Sequence, residues 1–282
     1  MQAEQVTDPI AFHGEGPVWW PRWQALRMVD MLAGDVLTLR DDGVERVNVG
    51  SAVAAVVRPR IGGGAIVARE HDLALADRDD LTDLVPAVSV TDDPGLRCNE
   101  GGCDPQGRFY IGTMAYDVTP QAGSLWRWDG EDGLHDTVSQ LTISNGLGWS
   151  PDGSLAYLND SEAQVTYRFT HDPDRGPVNR HVLLQHSDGY PDGLCVDAAG
   201  GLWVAFYGAG QVRRFDPDGT LTDVVEVPVS RPTACCLGGD DLRTLFITTS
   251  REGLEPGDEP AAGSVYSCRV AVPGLAVAGF AG

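Results

Sequence analysis

An all-β fold, a six-bladed β-propeller forming one domain over residues 1–282, is the architecture the sequence predicts. Three observations predict it. A turn followed by a short apolar strand recurs six times, with turns at residues 21, 59, 104, 150, 197 and 239, so that the spacings are 38, 45, 46, 47 and 42 residues. That is the range of propeller blades. The 35 glycines and 18 prolines cut the chain into short segments, and no convincing amphipathic helical pattern lies between them.

The blades read in order. Pro21 to Gln24 leads into ALRMVD and then DVLTLR. Pro59-Arg60 leads into GGAIVA and LALAD. Asp104-Pro-Gln-Gly107 leads into RFYIGT and SLWRWD. Ser150-Pro-Asp-Gly153 leads into LAYLND and QVTYRF. Asp197-Ala-Ala-Gly200 leads into LWVAFY and QVRRFD, and Gly239 to Asp241 into LRTLFIT and SVYSCRV. Before each turn stands a further short run: GPVWW, VAAVV, GGCD, GLGWS, GLCVD and ACCLG. Short, β-rich, turn-bounded runs are strand signals, and six units of three or four strands make a six-bladed propeller. A parallel β-helix has a shorter period, and a β-sandwich has no reason to spell the same turn six times.

Composition narrows the function. Acidic residues outnumber basic ones by 41 to 20, a formal charge of −21. Nucleic acid and an anionic membrane surface both need a basic face, so neither is expected as a partner. Every basic residue is arginine, which removes Schiff-base lysines and phosphate-loop lysines. No apolar run is long enough to span a bilayer. Met1 to Ile10 carries no basic residue and no apolar core, so a signal peptide is not expected. The six sparse cysteines then read as reduced thiols of a cytoplasmic protein.

The repeat also brings residues together. The run before each turn is the natural innermost strand, small and glycine-rich for the crowded axis. Counting five residues back from Trp20, Asp104, Ser150 and Asp197 gives Glu15, Asn99, Asn145 and Asp192. Equivalent positions around a propeller converge on one mouth of its channel. Asn-Gly and Asp-Gly alone are ordinary turn signals; the shared register is what argues for a site. Unpaired carboxylates and amides gathered there are costly, and a cation relieves the cost. Glu15, Asn145 and Asp192 offer oxygen only, which suits hard ions such as Ca²⁺, Mg²⁺ or Mn²⁺. The loops on the same face bring Arg97, Tyr116, Asp117, Tyr190 and Tyr207, with His13 two residues before Glu15. No serine-nucleophile elbow and no zinc-type cysteine spacing occurs.

The runs Gly14-Glu-Gly-Pro-Val-Trp-Trp20, Arg97 to Met114, Ile143-Ser-Asn-Gly-Leu-Gly-Trp-Ser150 and Pro191-Asp-Gly-Leu-Cys-Val-Asp197 resemble the senescence marker protein/gluconolactonase/regucalcin family, and the likeness continues to Tyr266. The resemblance implies a six-bladed propeller with one divalent metal at the channel mouth, held by Glu15, Asn145 and Asp192. It implies Arg97 and Asn99 as substrate contacts, and it puts Asp117 where the family carries a sugar-binding glutamate, one carbon longer. It implies hydrolysis of a sugar lactone, a small-molecule substrate. A Ca²⁺, Zn²⁺, Mn²⁺, Mg²⁺ or Fe²⁺ ion polarises the carbonyl, and Asp192 takes the proton of the attacking water. Another metal-dependent ester or phosphotriester hydrolase, and a non-enzymatic Ca²⁺-binding propeller, are the alternatives. An apolar mouth would favour the first of them.

Overall fold

A computed structural model describes residues 1–40, 42–131 and 133–282. After a two-residue strand β1 (Glu4–Gln5), the chain builds six four-stranded antiparallel sheets. Blade 1 is β2 (Gly14–Trp20), β3 (Ala25–Asp30), β4 (Asp35–Arg40) and β5 (Gly43–Asn48). Blade 2 is β6 (Ala54–Pro59), β7 (Ala65–Arg69), β8 (Asp72–Ala76) and β9 (Val85–Ser89). Blade 3 is β10 (Leu96–Cys103), β11 (Phe109–Ala115), β12 (Gly123–Trp128) and β13 (His135–Leu141). Blade 4 is β14 (Ser144–Trp149), β15 (Leu155–Asp160), β16 (Val165–Asp172) and β17 (Gly176–Gln185). Blade 5 is β18 (Tyr190–Val196), β19 (Leu202–Tyr207), β20 (Gln211–Phe215) and β21 (Leu221–Glu226). Blade 6 joins β22 (Pro232–Gly238), β23 (Thr244–Thr249) and β24 (Tyr266–Arg269) to β1, which pairs Glu4 with Ser267 and Gln5 with Tyr266. The fold is the expected six-bladed propeller, closed by its own N-terminus.

The recurring turn has a plain cause. In blade 3 the buried Asp104 carboxylate accepts the N–H groups of Gln106 and Arg108 at 3.0 and 2.9 Å. In blade 5 Asp197 does the same for Ala199 and Gly201, both at 2.9 Å. These carboxylates satisfy amides that a tight turn leaves unpaired. Gly107 and Gly200 follow with φ of +81° and +82°, a conformation open mainly to glycine.

The core lies between blades, where the two inner strands of each sheet bury their side chains. Val56, Ile66, Phe109 and Ile111 belong to one such cluster shared by blades 1 to 3. The outermost strands are largely exposed. After β24 the chain crosses the underside of the ring. Gly274 bridges to Asp197 and Phe280 to Arg60, and the buried Phe280 ring stacks on Trp128 with centroids 5.2 Å apart. This crossing was not read from the sequence. Beneath it lies a channel cavity of about 430 Å³. Among the described residues no helix is long and apolar enough to cross a membrane.

Candidate functional site

The inner strands reach the axis through β-bulges. Between Cys98 and Gly101, Ser144 and Leu147, and Pro191 and Leu194, two inner-strand residues oppose one on the neighbouring strand. Asn99, Asn145 and Asp192 are each the first of their bulged pair. In blade 1 the irregularity follows Glu15 directly, between Glu15 and Val18. A bulge bends its strand and re-aims a side chain, so the X-Gly spelling of the sequence marks the place where the ladder turns a polar side chain toward the channel. The glycines are there for proximity. A Cβ on Gly146 would lie 2.4 Å from the Asp192 carbonyl oxygen, and one on Gly193 would lie 2.3 Å from the Ala234 Cβ.

Glu15, Arg97, Asn99, Asn145 and Asp192 therefore share one cavity of about 370 Å³ at the upper mouth, with His13 beside them. Asp117 is placed elsewhere. It is exposed, and its carboxylate accepts the Thr119 N–H at 2.9 Å and hydroxyl at 2.7 Å. Its neighbours Tyr116 and Val118 line the cavity instead. The rest of the lining is mixed: Leu32, Met114 and Ile143 are apolar, Tyr190 and Tyr207 present rings, and Ser161, Glu162 and Glu252 are polar.

The carboxylates are under electrostatic stress. Burial raises the Glu15 pKa well above the usual range, and Asp192 and Glu100 add to the rise. Burial also raises Asp192 well above its ordinary value, again with Glu100, while the Asn145 side chain and the Gly193 N–H act against it. Glu100 was missed in the sequence although it follows Asn99 directly. It is held by Arg58 at 3.0 Å on the channel side, and burial still raises its pKa. Arg97 sits among these groups with its own pKa lowered by burial. Its Nη1 donates to Asn99 Oδ1 at 2.7 Å and to the Cys98 carbonyl at 2.9 Å, and Asn99 Nδ2 donates to the Ser144 carbonyl at 3.0 Å. His13 is kept neutral, its pKa lowered to about 3 by burial and by Arg97.

Two carboxylates at the ends of second strands hold the entry loops. Asp30 Oδ1 accepts the N–H groups of Phe12 and His13 at 2.9 and 3.0 Å. Asp160 accepts those of Thr142 and Ile143 at 2.9 and 3.0 Å. In each case the bonded amides precede the mouth residue, Glu15 or Asn145, by three and two positions, so blades 1 and 4 position their side chains by the same device.

Two buried oxygens, Asn145 Oδ1 and Asp192 Oδ1, accept no hydrogen bond. Orphaned acceptors beside a second buried carboxylate are what a bound cation would satisfy. The donor set fits a hard divalent ion: Glu15, Asp192 and Asn145 supply oxygen, with Asn99 adjacent. It holds only two carboxylates, and among the described residues no cluster of three His, Cys, Asp or Glu side chains forms a metal site.

A region described as SMP-30/Gluconolactonase/LRE-like matches residues 13–251. A 6-deoxy-6-sulfogluconolactonase of Pseudomonas putida is 38% identical over 95% of this chain and 95% of its own length. Regucalcin of Sus scrofa is 33% identical over 95% of this chain and 92% of its own. In fold, the chain is similar to a calcium-binding protein, regucalcin, of Agrobacterium tumefaciens str. C58. The TM-score is 0.92, covering 99% of this chain and 97% of that one at 24% identity.

Proposed function

The chain belongs to the SMP-30/Gluconolactonase/LRE-like family, and we propose that it hydrolyses a sugar lactone to the corresponding aldonic acid with a divalent cation held by Glu15, Asn145 and Asp192. The observation that carries this reading is the pair of orphaned oxygens, Asn145 Oδ1 and Asp192 Oδ1, in the mouth that also holds buried Glu15 and half-buried Arg97. When bound, such an ion supplies Lewis acidity to a carbonyl and charge opposite a developing oxyanion.

The chain's own residues do the rest. Asp192, ionised beside the cation, takes the proton of the attacking water and returns it to the ring oxygen that leaves the acyl carbon. Glu15, its Oε2 accepting the Gly16 N–H at 2.9 Å, contributes the second negative charge. Arg97, anchored through Nη1, directs its other guanidinium N–H groups at substrate oxygens. Asn99, fixed at both ends of its amide, keeps Arg97 in place. Asp117 joins the substrate contacts only if its turn onto Thr119 opens. Tyr116, Tyr190 and Tyr207 give the ring of the substrate an apolar wall.

That wall favours a second reading. Leu32, Met114, Ile143 and the three tyrosines could seat an aryl ester or a lactone with an apolar body, while Arg97, Asn99, Ser161, Glu162 and Glu252 offer partners for hydroxyl groups. Metal-stripped protein should be assayed by acid release on gluconic, galactonic, xylonic and arabinonic lactones and on an aryl ester, with Mn²⁺, Ca²⁺ or Zn²⁺ restored singly. We expect hydrolysis of at least one sugar lactone, restored by metal. Uncatalysed rates on all four lactones with every metal would reject the sugar lactonase, and turnover of the aryl ester alone would establish the second reading.

A further inference from the structure

We propose that Ser161, on the turn after β15, is the positioning residue that decides which end of the Asn145 amide faces the channel. An asparagine side chain offers an oxygen acceptor at one end and two N–H donors at the other. Only the oxygen can face a cation; a rotation of 180° about the terminal bond would present two positively polarised hydrogens instead. Something in the fold has to choose.

Ser161 makes the choice by using its one proton elsewhere. Its Oγ lies 2.7 Å from the Pro191 carbonyl oxygen, which can only accept, so the hydroxyl proton is committed there. Toward Asn145 the same Oγ is left as an acceptor. The Asn145 atom that meets it at 3.0 Å must therefore be the donor, Nδ2. Oδ1 is thereby turned to the mouth, where it has no protein partner, and the orphaned Asp192 Oδ1 has none either. Asn145, Ser161 and Asp192 are all buried and line the mouth cavity together. The backbone of blade 4 needs no help from this hydroxyl, because Asp160 pins Thr142 and Ile143, and Ser161 N donates to the Ile143 carbonyl at 3.2 Å. Ser161 acts on the side chain and on the Pro191 carbonyl.

The same segment fixes the next residue of blade 5. Thr166 Oγ1 donates to Asn159 Oδ1 at 2.7 Å, and Asn159 Nδ2 donates to the Asp192 carbonyl at 2.6 Å. One blade thus sets an amide side chain and holds two consecutive carbonyls of its neighbour. These donor directions turn the Asn145 oxygen toward the mouth.

This inference rests on the reading of the mouth as a cation site, and the test separates the two. Mn²⁺ binding is measured by loss of the free-ion electron paramagnetic resonance signal in four proteins: wild type, Ser161→Ala, Asn145→Asp and the double variant. A carboxylate presents oxygen whichever way it turns, so Asn145→Asp removes the need for an orienting partner. Wild type should bind one Mn²⁺. Ser161→Ala should weaken binding tenfold or more in the wild-type background and less than twofold in the Asn145→Asp background. An equal loss in both backgrounds would make Ser161 a packing residue, and no loss in either would remove its role; both overturn the inference while the cation site stands. No Mn²⁺ binding by wild type would overturn both.

Discussion

Among single residues, some side chains face the mouth and others only stand near it. Arg97 is half-buried against Asn99 and lines the cavity, whereas Asp117 is exposed and closes a local turn with Thr119. Arg97→Ala should raise KM for the preferred lactone by about tenfold or more with a smaller change in kcat, since it removes binding shared by substrate and transition state. Asp117→Ala should change KM less than twofold. Steady-state kinetics on one lactone checks both, and the reverse ranking would place Asp117 in the site and Arg97 outside it. The sequence showed Glu15, Asn99, Asn145 and Asp192 because a repeat converts register into position. It did not show Glu100, whose inward turn depends on the bulge, nor Ser161 and Asp160, whose roles lie in hydrogen bonds between blades and loops. Asp117 was assigned from its loop on the site face and from the family resemblance, and neither reports a side chain that bonds Thr119 two residues on.

At the scale of elements, the inner strands were legible and the outer ones were not. An inner strand is buried on both faces and reads as a continuous apolar or glycine-rich run. β5, β9 and β13 are largely exposed and carry no such pattern. Contacts between blades have a consequence in acid. His186, after β17, lies with its ring edge-on to Phe206 of blade 5, centroids 5.0 Å apart, and its Nε2 meets Thr166 Oγ1 at 2.9 Å. Since the Thr166 proton goes to Asn159, the imidazole Nε2–H is the donor. Burial, with Arg213 in second place, lowers its pKa to about 4. The unfolded chain protonates this histidine below about 6.5, so the folded state binds fewer protons between those values. Its contribution is complete above pH 6.5 and is lost as pH falls toward 4. His186→Gln keeps a donor for Thr166 and cannot take a proton. Its melting temperature should fall less between pH 7.5 and 5 than that of wild type, by about 2–4 °C. Identical falls would mean that His186 does not carry this dependence.

At the scale of the whole molecule, the propeller is a ring whose two mouths differ. The lower one is crossed by the C-terminal segment, which ties blade 5 at Asp197 to blades 2 and 3 at Arg60 and Gly107. The upper one is open and holds the candidate site. Neither the crossing nor the closure by β1 was legible: β1 is two residues long, and the tail is irregular, with its backbone groups satisfied by separate blades. The formal charge of −21 favours solubility, but it also bears on the upper mouth, where Glu15 and Asp192 are buried together. On the proposed reading, a single divalent ion at this mouth is required for lactone hydrolysis. A titration of metal-stripped protein tests it most directly, with bound Mn²⁺ and the initial rate on a sugar lactone read in the same samples. Activity should rise in proportion to occupancy and level off at one ion per chain, and both signals should be lost in Glu15→Gln and Asp192→Asn. Full activity at zero occupancy, or one bound ion retained in both variants, would contradict the account.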